Sequence, residues 1–322
     1  MRYLVLCAVL ACGSEPERAP AKAPAPPAAP SSSPVAAIGD TSKLSPALQR
    51  AFDPRDHELP GKPRPGDWLA EHPEEPQPFE LYLRNRPNVP DGERRVIYLM
   101  PLGEFPKTAP PIAALVDIVQ TFYTLDVKML PAVNLDDLLL DVTTRTNSGT
   151  GKMQLLSPDV LRWLTKRVPD DAFGVVAITM VDLYPDPKWN FVFGQASFRE
   201  RVAVQSFARQ DPAFFGDKRG DGWQLLALKR AAWTLVHEIA HMFSISHCTH
   251  YRCIVAGSNS QQESDRAPLH PCPVCLRKLH HALGFDPELR ETRLAVVLRK
   301  YGITDEADWA ERRARFIRDG QP

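Results

Sequence analysis

His237-Glu238-Ile239-Ala240-His241 sets two imidazoles four residues apart, and His247 follows six residues after the second. Residues four apart share one face of a helix, so the two rings can grip one metal ion while Glu238 reaches a water held there. His247, returning after the helix turns back, completes three nitrogen ligands and leaves a fourth position open. Three protein ligands plus water is the arrangement of a catalytic zinc. The chemistry this arrangement suits is metal-assisted, with an activated water in reach of Glu238.

Directly after His247 come Cys248 and Cys253, and Cys272-Pro273-Val274-Cys275 follows. Two cysteine pairs, the second a C-x-x-C, have the ligand spacing of a closed tetrahedral thiolate zinc. In an oxidising compartment the four could instead pair as Cys248–Cys253 and Cys272–Cys275, but the spacing favours zinc. The reading is therefore two zinc ions per chain, one catalytic and one structural. A redox role for Cys272 and Cys275 is the rival that metal content separates. With all four cysteines read as ligands, none is left to act as a nucleophile. HExxH alone arises by chance on amphipathic helices; a third histidine and four cysteines in register make chance a poor explanation. His250, His270, His280 and His281 are nearby but lack the spacing, and read as supporting or surface residues.

Such ligands need a long helix and a sheet to hold it. The apolar pattern predicts that helix from about Trp223 to Phe243. Upstream, Arg95 to Met100 reads as a buried strand ended by Pro101, and Val127 to Leu130 as a second strand. Phe173 to Val181 is a continuous apolar run, hence a central strand; Phe191 to Ser197 and Val202 to Phe207 read as two more. Pro111 to Thr124 has helical periodicity. A helix capped by Ser157 is expected to run through Arg167, and two or three helices follow Cys272. The expected architecture is a mixed α/β layer with the metal-bearing helix packed beneath the sheet.

The chain of 322 residues carries 39 basic and 39 acidic side chains, so bulk charge gives no case for a nucleic-acid partner. Arg2, the apolar stretch Tyr3 to Ala11 and the ending Val9-Leu10-Ala11-Cys12 resemble a bacterial lipoprotein signal, with Cys12 as the acylated residue. Residues 1–12 are read as that signal and residues 13–45 as a Pro/Ala-rich tether. Residues 46–322 are read as the catalytic domain, opening with an irregular arm of short helical pieces from Asp53 to Pro90. The expected location is membrane-anchored through that lipid and otherwise cytoplasmic, and the expected state is monomeric.

The run HExxHxxxxxHCxxxxC followed by CxxC resembles the archaemetzincins, zinc metallopeptidases of the metzincin clan. Ile178 to Pro185, Trp189 to Ser197, Gly257-Ser258-Asn259, Cys272 to Leu279, Asp67-Trp68-Leu69 and Pro101-Leu102-Gly103 are similar to family segments, so the likeness extends from about Asp67 to Gly284. The resemblance implies a metzincin-like domain with a five-stranded mixed sheet, an antiparallel edge strand and a helical C-terminal part. It implies His237, His241 and His247 on the catalytic zinc, Glu238 as base and acid, and Cys248, Cys253, Cys272 and Cys275 on the structural zinc. It further implies that Asn190 to Ser197 is the edge strand above the cleft, where an extended peptide substrate can add by main-chain pairing. Two positions depart from the family pattern. Ser244 stands where a glycine usually breaks the helix, and Val255 where the clan's methionine underlies the zinc. Those departures motivate one alternative, a catalytically weak or silent zinc-bearing module that binds peptides at a cell surface.

Overall fold

The structure, a computed structural model, describes residues 33–320. The expected signal with Cys7 and Cys12, and residues 13–32 of the expected tether, lie outside the described residues. The strands are β1 (Val96–Leu102), β2 (Val127–Met129), β3 (Thr144–Thr146), β4 (Met153–Leu156), β5 (Ala172–Thr179), β6 (Asp182–Tyr184), β7 (Gly194–Ser197) and β8 (Val202–Ser206). Five of them form a mixed sheet in the order β2-β1-β5-β8-β7. All neighbours are parallel except β7, the edge strand, which runs antiparallel to β8.

Successive side chains on a strand point to opposite faces, and β1 shows both destinations. Ile97 and Leu99 enter one core with Phe173 and Val176 of β5. Val96, Tyr98, Met100 and Leu102 enter a second core with Val175 and Ala177. Covering on both faces is what makes these strands apolar throughout. One expectation is corrected here: β1 does not stop at Pro101. In that register the proline has only to offer its carbonyl, which accepts from Val133 N at 2.9 Å.

On the first face lies the helix Trp223–Met242, with Ile112–Tyr123 beside it. Leu235, Val236 and Ile239 are fully buried there. Polar links fix the height of the helix against the sheet: Gln205 of β8 donates to Ala231 O at 2.9 Å, and the Tyr123 hydroxyl donates to Val236 O. The second face is covered by the helix Ser157–Leu164, which continues as a single 3-10 turn through Arg167. Ser157 is not its cap, since its hydroxyl is held by Tyr184 O at 3.1 Å and Gln195 Oε1 at 2.6 Å.

A second sheet, of order β3-β4-β6, has no counterpart among the strands expected from the sequence. It extends the fold beyond the end of β5 and carries the loop 185–193. The C-terminal helices Pro273–Leu283, Pro287–Lys300 and Thr304–Asp319 pack as expected. The arm is likewise irregular, with short helices at Trp68–Glu71 and Phe79–Arg84. The end of the expected tether is not extended, however. Ala37 and Ile38 are buried in the main core, and Arg277 donates to Ile38 O and to Asp40 O. A short apolar piece, Val35 to Ile38, thus starts the packed part before residue 46. Among the described residues, no helix is long and apolar enough to cross a membrane.

Candidate metal centre

His237 and His241 lie in the last turns of the Trp223–Met242 helix, one turn apart, and the loop after it brings His247 beside them. The reversal happens at Ser244, whose φ is 64°. Its N–H donates to His241 O at 2.9 Å. A non-glycine residue in this region is strained by roughly 1–2 kcal/mol, and the neighbourhood holds it there. Asn88 N donates to Ser244 Oγ at 3.0 Å, and Gln77 Nε2 donates to Ser244 O at 3.1 Å. Gln77 Oε1 in turn accepts from Ser246 N, so one side chain spans the turn.

The ring centroids of the three histidines are 4.6, 5.2 and 4.9 Å apart. His237 Nδ1 lies 2.9 Å from Ile254 O, and His241 Nδ1 lies 2.7 Å from Ile245 O. A carbonyl only accepts, so both Nδ1 atoms carry the proton and both Nε2 atoms present lone pairs. Those two Nε2 atoms are 3.0 Å apart, an arrangement that calls for a cation between them. Tetrahedral zinc–nitrogen bonds would separate the donors by roughly 3.3 Å. Burial, then the neighbouring His247, holds His241 down to about 3; burial and the neighbouring histidines hold His237 well below the ordinary range. Both are therefore neutral and ready to ligate at neutral pH. Each ring also leans on an aromatic side chain: Trp233 on His237, Phe198 on His241 and Trp68 on His247.

Glu238 projects between the helix and the edge strand β7. Gly194 makes this possible: a Cβ there would sit 2.6 Å from Glu238 Oε1 and 2.8 Å from its Cδ and Cγ. Burial pushes the Glu238 carboxyl up to about 8. A cleft of about 860 Å³ opens over these residues, walled by the loop 185–193 and β7 on one side and by the arm on the other. Trp68, Glu74, Trp189, Phe193 and Asn259 line it.

Cys248, Cys253, Cys272 and Cys275 form the second cluster, buried, with no disulfide among them and all four sulfurs within 4.8 Å of one another. Cys248 Sγ and Cys272 Sγ are 3.5 Å apart, against roughly 3.8 Å expected around a tetrahedral zinc. Burial drives the Cys253 and Cys272 thiols well up, while hydrogen bonds from its neighbours pull Cys248 down. Several adjacent thiolates are stable only with a cation among them. The donor set fits zinc. Val255, buried, accepts Cys248 N at 2.9 Å, so the segment of residues 253–256 ties the two clusters together beneath His237. His250, His270, His280 and His281 belong to neither cluster; His270 instead bonds Glu306 at 2.8 Å and stacks on Trp309.

The expected edge strand is shorter than residues 190–197. Gly194–Ser197 pairs with β8, Phe193 adds one main-chain bond by accepting from Ser206 N at 2.9 Å, and Val192 bridges instead to Leu183 of β6. The cause is a polar clamp from the second sheet. Arg145 donates to Pro187 O at 3.0 Å and Asn190 O at 2.9 Å, and Asn147 and Gln154 also hold Asn190. The buried pair Arg209–Asp182 anchors the base of the clamp at 2.7 Å. Arg145, Gln77, Gly194 and Glu74 shape the site, and no local spacing marks them out; each is near it only through chain folding.

Known proteins share sequence with this chain across the residues of the site. The model of Peptidase family M54 matches residues 145–281. The chain is 37% identical over 249 residues to archaemetzincin-2 of Homo sapiens, covering 69% of each. It is 35% identical over 283 residues to archaemetzincin-2 of Rattus norvegicus, covering 77% of this chain and 78% of that one. The solved archaemetzincin of Methanopyrus kandleri is 28% identical, with a TM-score of 0.46 over 61% of this chain and 99% of its own.

Proposed function

The chain belongs to the archaemetzincins, M54-family zinc metallopeptidases, and from that premise we propose which residues do the work. His237, His241 and His247 hold the catalytic zinc through their Nε2 atoms. Cys248, Cys253, Cys272 and Cys275 hold a second, structural zinc. When bound, the catalytic zinc supplies Lewis-acid polarisation and acidifies water. Glu238 Oε1 takes up the proton of the attacking water and delivers it to the departing amine. Burial keeps that carboxyl basic enough to hold the proton between the two transfers, and the charge of the cation opposes the rise. The substrate is an extended peptide laid along β7, whose outermost position in the sheet offers its main chain for pairing.

The observation that carries this reading is the pair of Nε2 lone pairs 3.0 Å apart, each with its Nδ1 already committed. A retained, buried Glu238 favours hydrolysis over a silent peptide-binding module, because binding alone needs no base. Elemental analysis should find two zinc ions per chain. Mild chelation should remove one of them together with activity, and added zinc should restore both. One zinc or none, with no free thiols, contradicts the assignment.

On the sequence alone we also propose that the enzyme is exported, anchored through Cys12, and acts as a monomer without nucleic acid. Replacing Cys12 with serine should then move it out of the membrane fraction, and an unchanged distribution contradicts this.

A further inference from the structure

Each metal-binding imidazole needs a partner on its second nitrogen to fix its tautomer and its aim. His237 and His241 find theirs in carbonyls of the site's own loop, Ile254 and Ile245. His247 differs in two respects. It lies in a loop rather than on the helix, and its Nδ1 meets a carboxylate, Glu74 Oε1, at 2.7 Å. Glu74 comes from the proline-rich arm, outside the residues matched by the family model.

The arm is built to hold that carboxylate in place. Trp68 Nε1 donates to the same Oε1 at 2.8 Å. The indole stands edge-on to His247 at 5.1 Å. Its ring lies directly on Gly257, where any Cβ would meet it at 2.4–2.7 Å. Trp68 N donates to Glu263 Oε1 at 2.9 Å, and Asp67 pairs with Arg266 at 2.6 Å. Three residues beyond Glu74, Gln77 grips both sides of the turn that leads to His247. The arm therefore brackets the third histidine from two directions.

We propose that Glu74 is a positioning residue of the metal centre: it fixes His247, and thereby makes a docked arm a condition of full zinc affinity. The inference rests on His247 being the third ligand. A carboxylate on Nδ1–H orients the ring and makes Nε2 a stronger donor, and loss of such a partner typically lowers metal affinity 10–100-fold.

The test uses the full chain carrying Glu74→Ala, Glu74→Gln or Trp68→Phe, and reads zinc affinity by competition with a chromogenic chelator. Glu74→Ala should weaken the histidine site about 10–100-fold and leave the cysteine site filled. Glu74→Gln keeps an acceptor oxygen without the charge, so its loss should be smaller than that of Glu74→Ala. Trp68→Phe keeps a ring over Gly257 but removes the donor to Glu74, and should lose least. Selective loss in that order distinguishes positioning from general destabilisation, which would weaken both sites together and overturn the proposal. Should Glu74→Ala fail to fold, Glu74→Gln with wild-type affinity still overturns it. Wild-type protein that binds no zinc at the histidines would instead refute the ligand assignment itself. Wild-type binding matched by all three variants would refute only the role of Glu74.

Discussion

Gly194→Ala adds one methyl group at the point where the edge strand meets the Glu238 carboxylate. The new Cβ would lie 2.6 Å from Glu238 Oε1 and 2.8 Å from Cδ and Cγ. Carbon contacts relax only near 3.5–4.0 Å, so the carboxylate and the strand must separate by about 1 Å. Glu238 sits on a buried helix pinned by Gln205 and Tyr123, which leaves its side chain and the short β7 to absorb the shift. A misplacement of that size costs on the order of 10²-fold in rate, and overpacking should remove about 1–3 kcal/mol of stability. The three atoms nearest the new methyl group all belong to Glu238, so zinc should stay. The assay is kcat and KM on one cleaved peptide, with zinc content and a thermal melt on the same preparation. A variant with two zinc ions and kcat within twofold of wild type would refute the placement of Glu238 as the base.

Three further outcomes follow from the same structure. Ser244→Ala keeps the left-handed backbone and loses the Asn88 bond, so it should cost about 1 kcal/mol in chemical denaturation. Ser244→Gly loses the same bond but sheds roughly 1 kcal/mol of strain and should match wild type; a fully stable alanine variant would show that the hydroxyl contributes nothing. Arg145→Ala releases the carbonyls of Pro187 and Asn190 and should raise KM more than it lowers kcat, whereas an unchanged KM would detach the second sheet from the cleft. With the histidine-site metal removed, Glu238 ionises only near pH 8 rather than 4.5. A raised folded value gives stability that is complete below pH 4.5 and lost as pH climbs through 8, by up to roughly 5 kcal/mol. Metal-free Glu238→Gln should therefore be more stable than metal-free wild type at pH 8–9 and similar near pH 5; parallel melting curves across that range would contradict the burial of the carboxylate.

The seven ligand candidates were legible because metal chemistry constrains residue type and local spacing together. His237 and His241 share a helical face, and the cysteines come in short pairs. The five-stranded sheet was legible for a related reason, since strands buried on both faces read as apolar runs. The second sheet was not: Thr144-Arg145-Thr146 is three polar residues whose pairing is decided by β4, and its purpose is to hold a loop some 40 residues away. Pro101 misled because proline stops a strand only where an N–H is required. Ala37 and Ile38 looked like tether because composition reports average polarity, whereas two apolar residues suffice to dock a short turn under the Pro273–Leu283 helix. Glu74 was invisible for the plainest reason, lying 173 residues from its partner.

The proposed catalysis requires that Glu238 move the proton while the three histidines hold the metal. Its most direct test is a mixed peptide library digested by zinc-loaded wild type and by Glu238→Gln, mapped by mass spectrometry, with zinc counted in both. The expected result is cleavage by wild type alone and equal zinc in the two proteins. Cleavage by both, or loss of the histidine-site zinc from the variant, would contradict it.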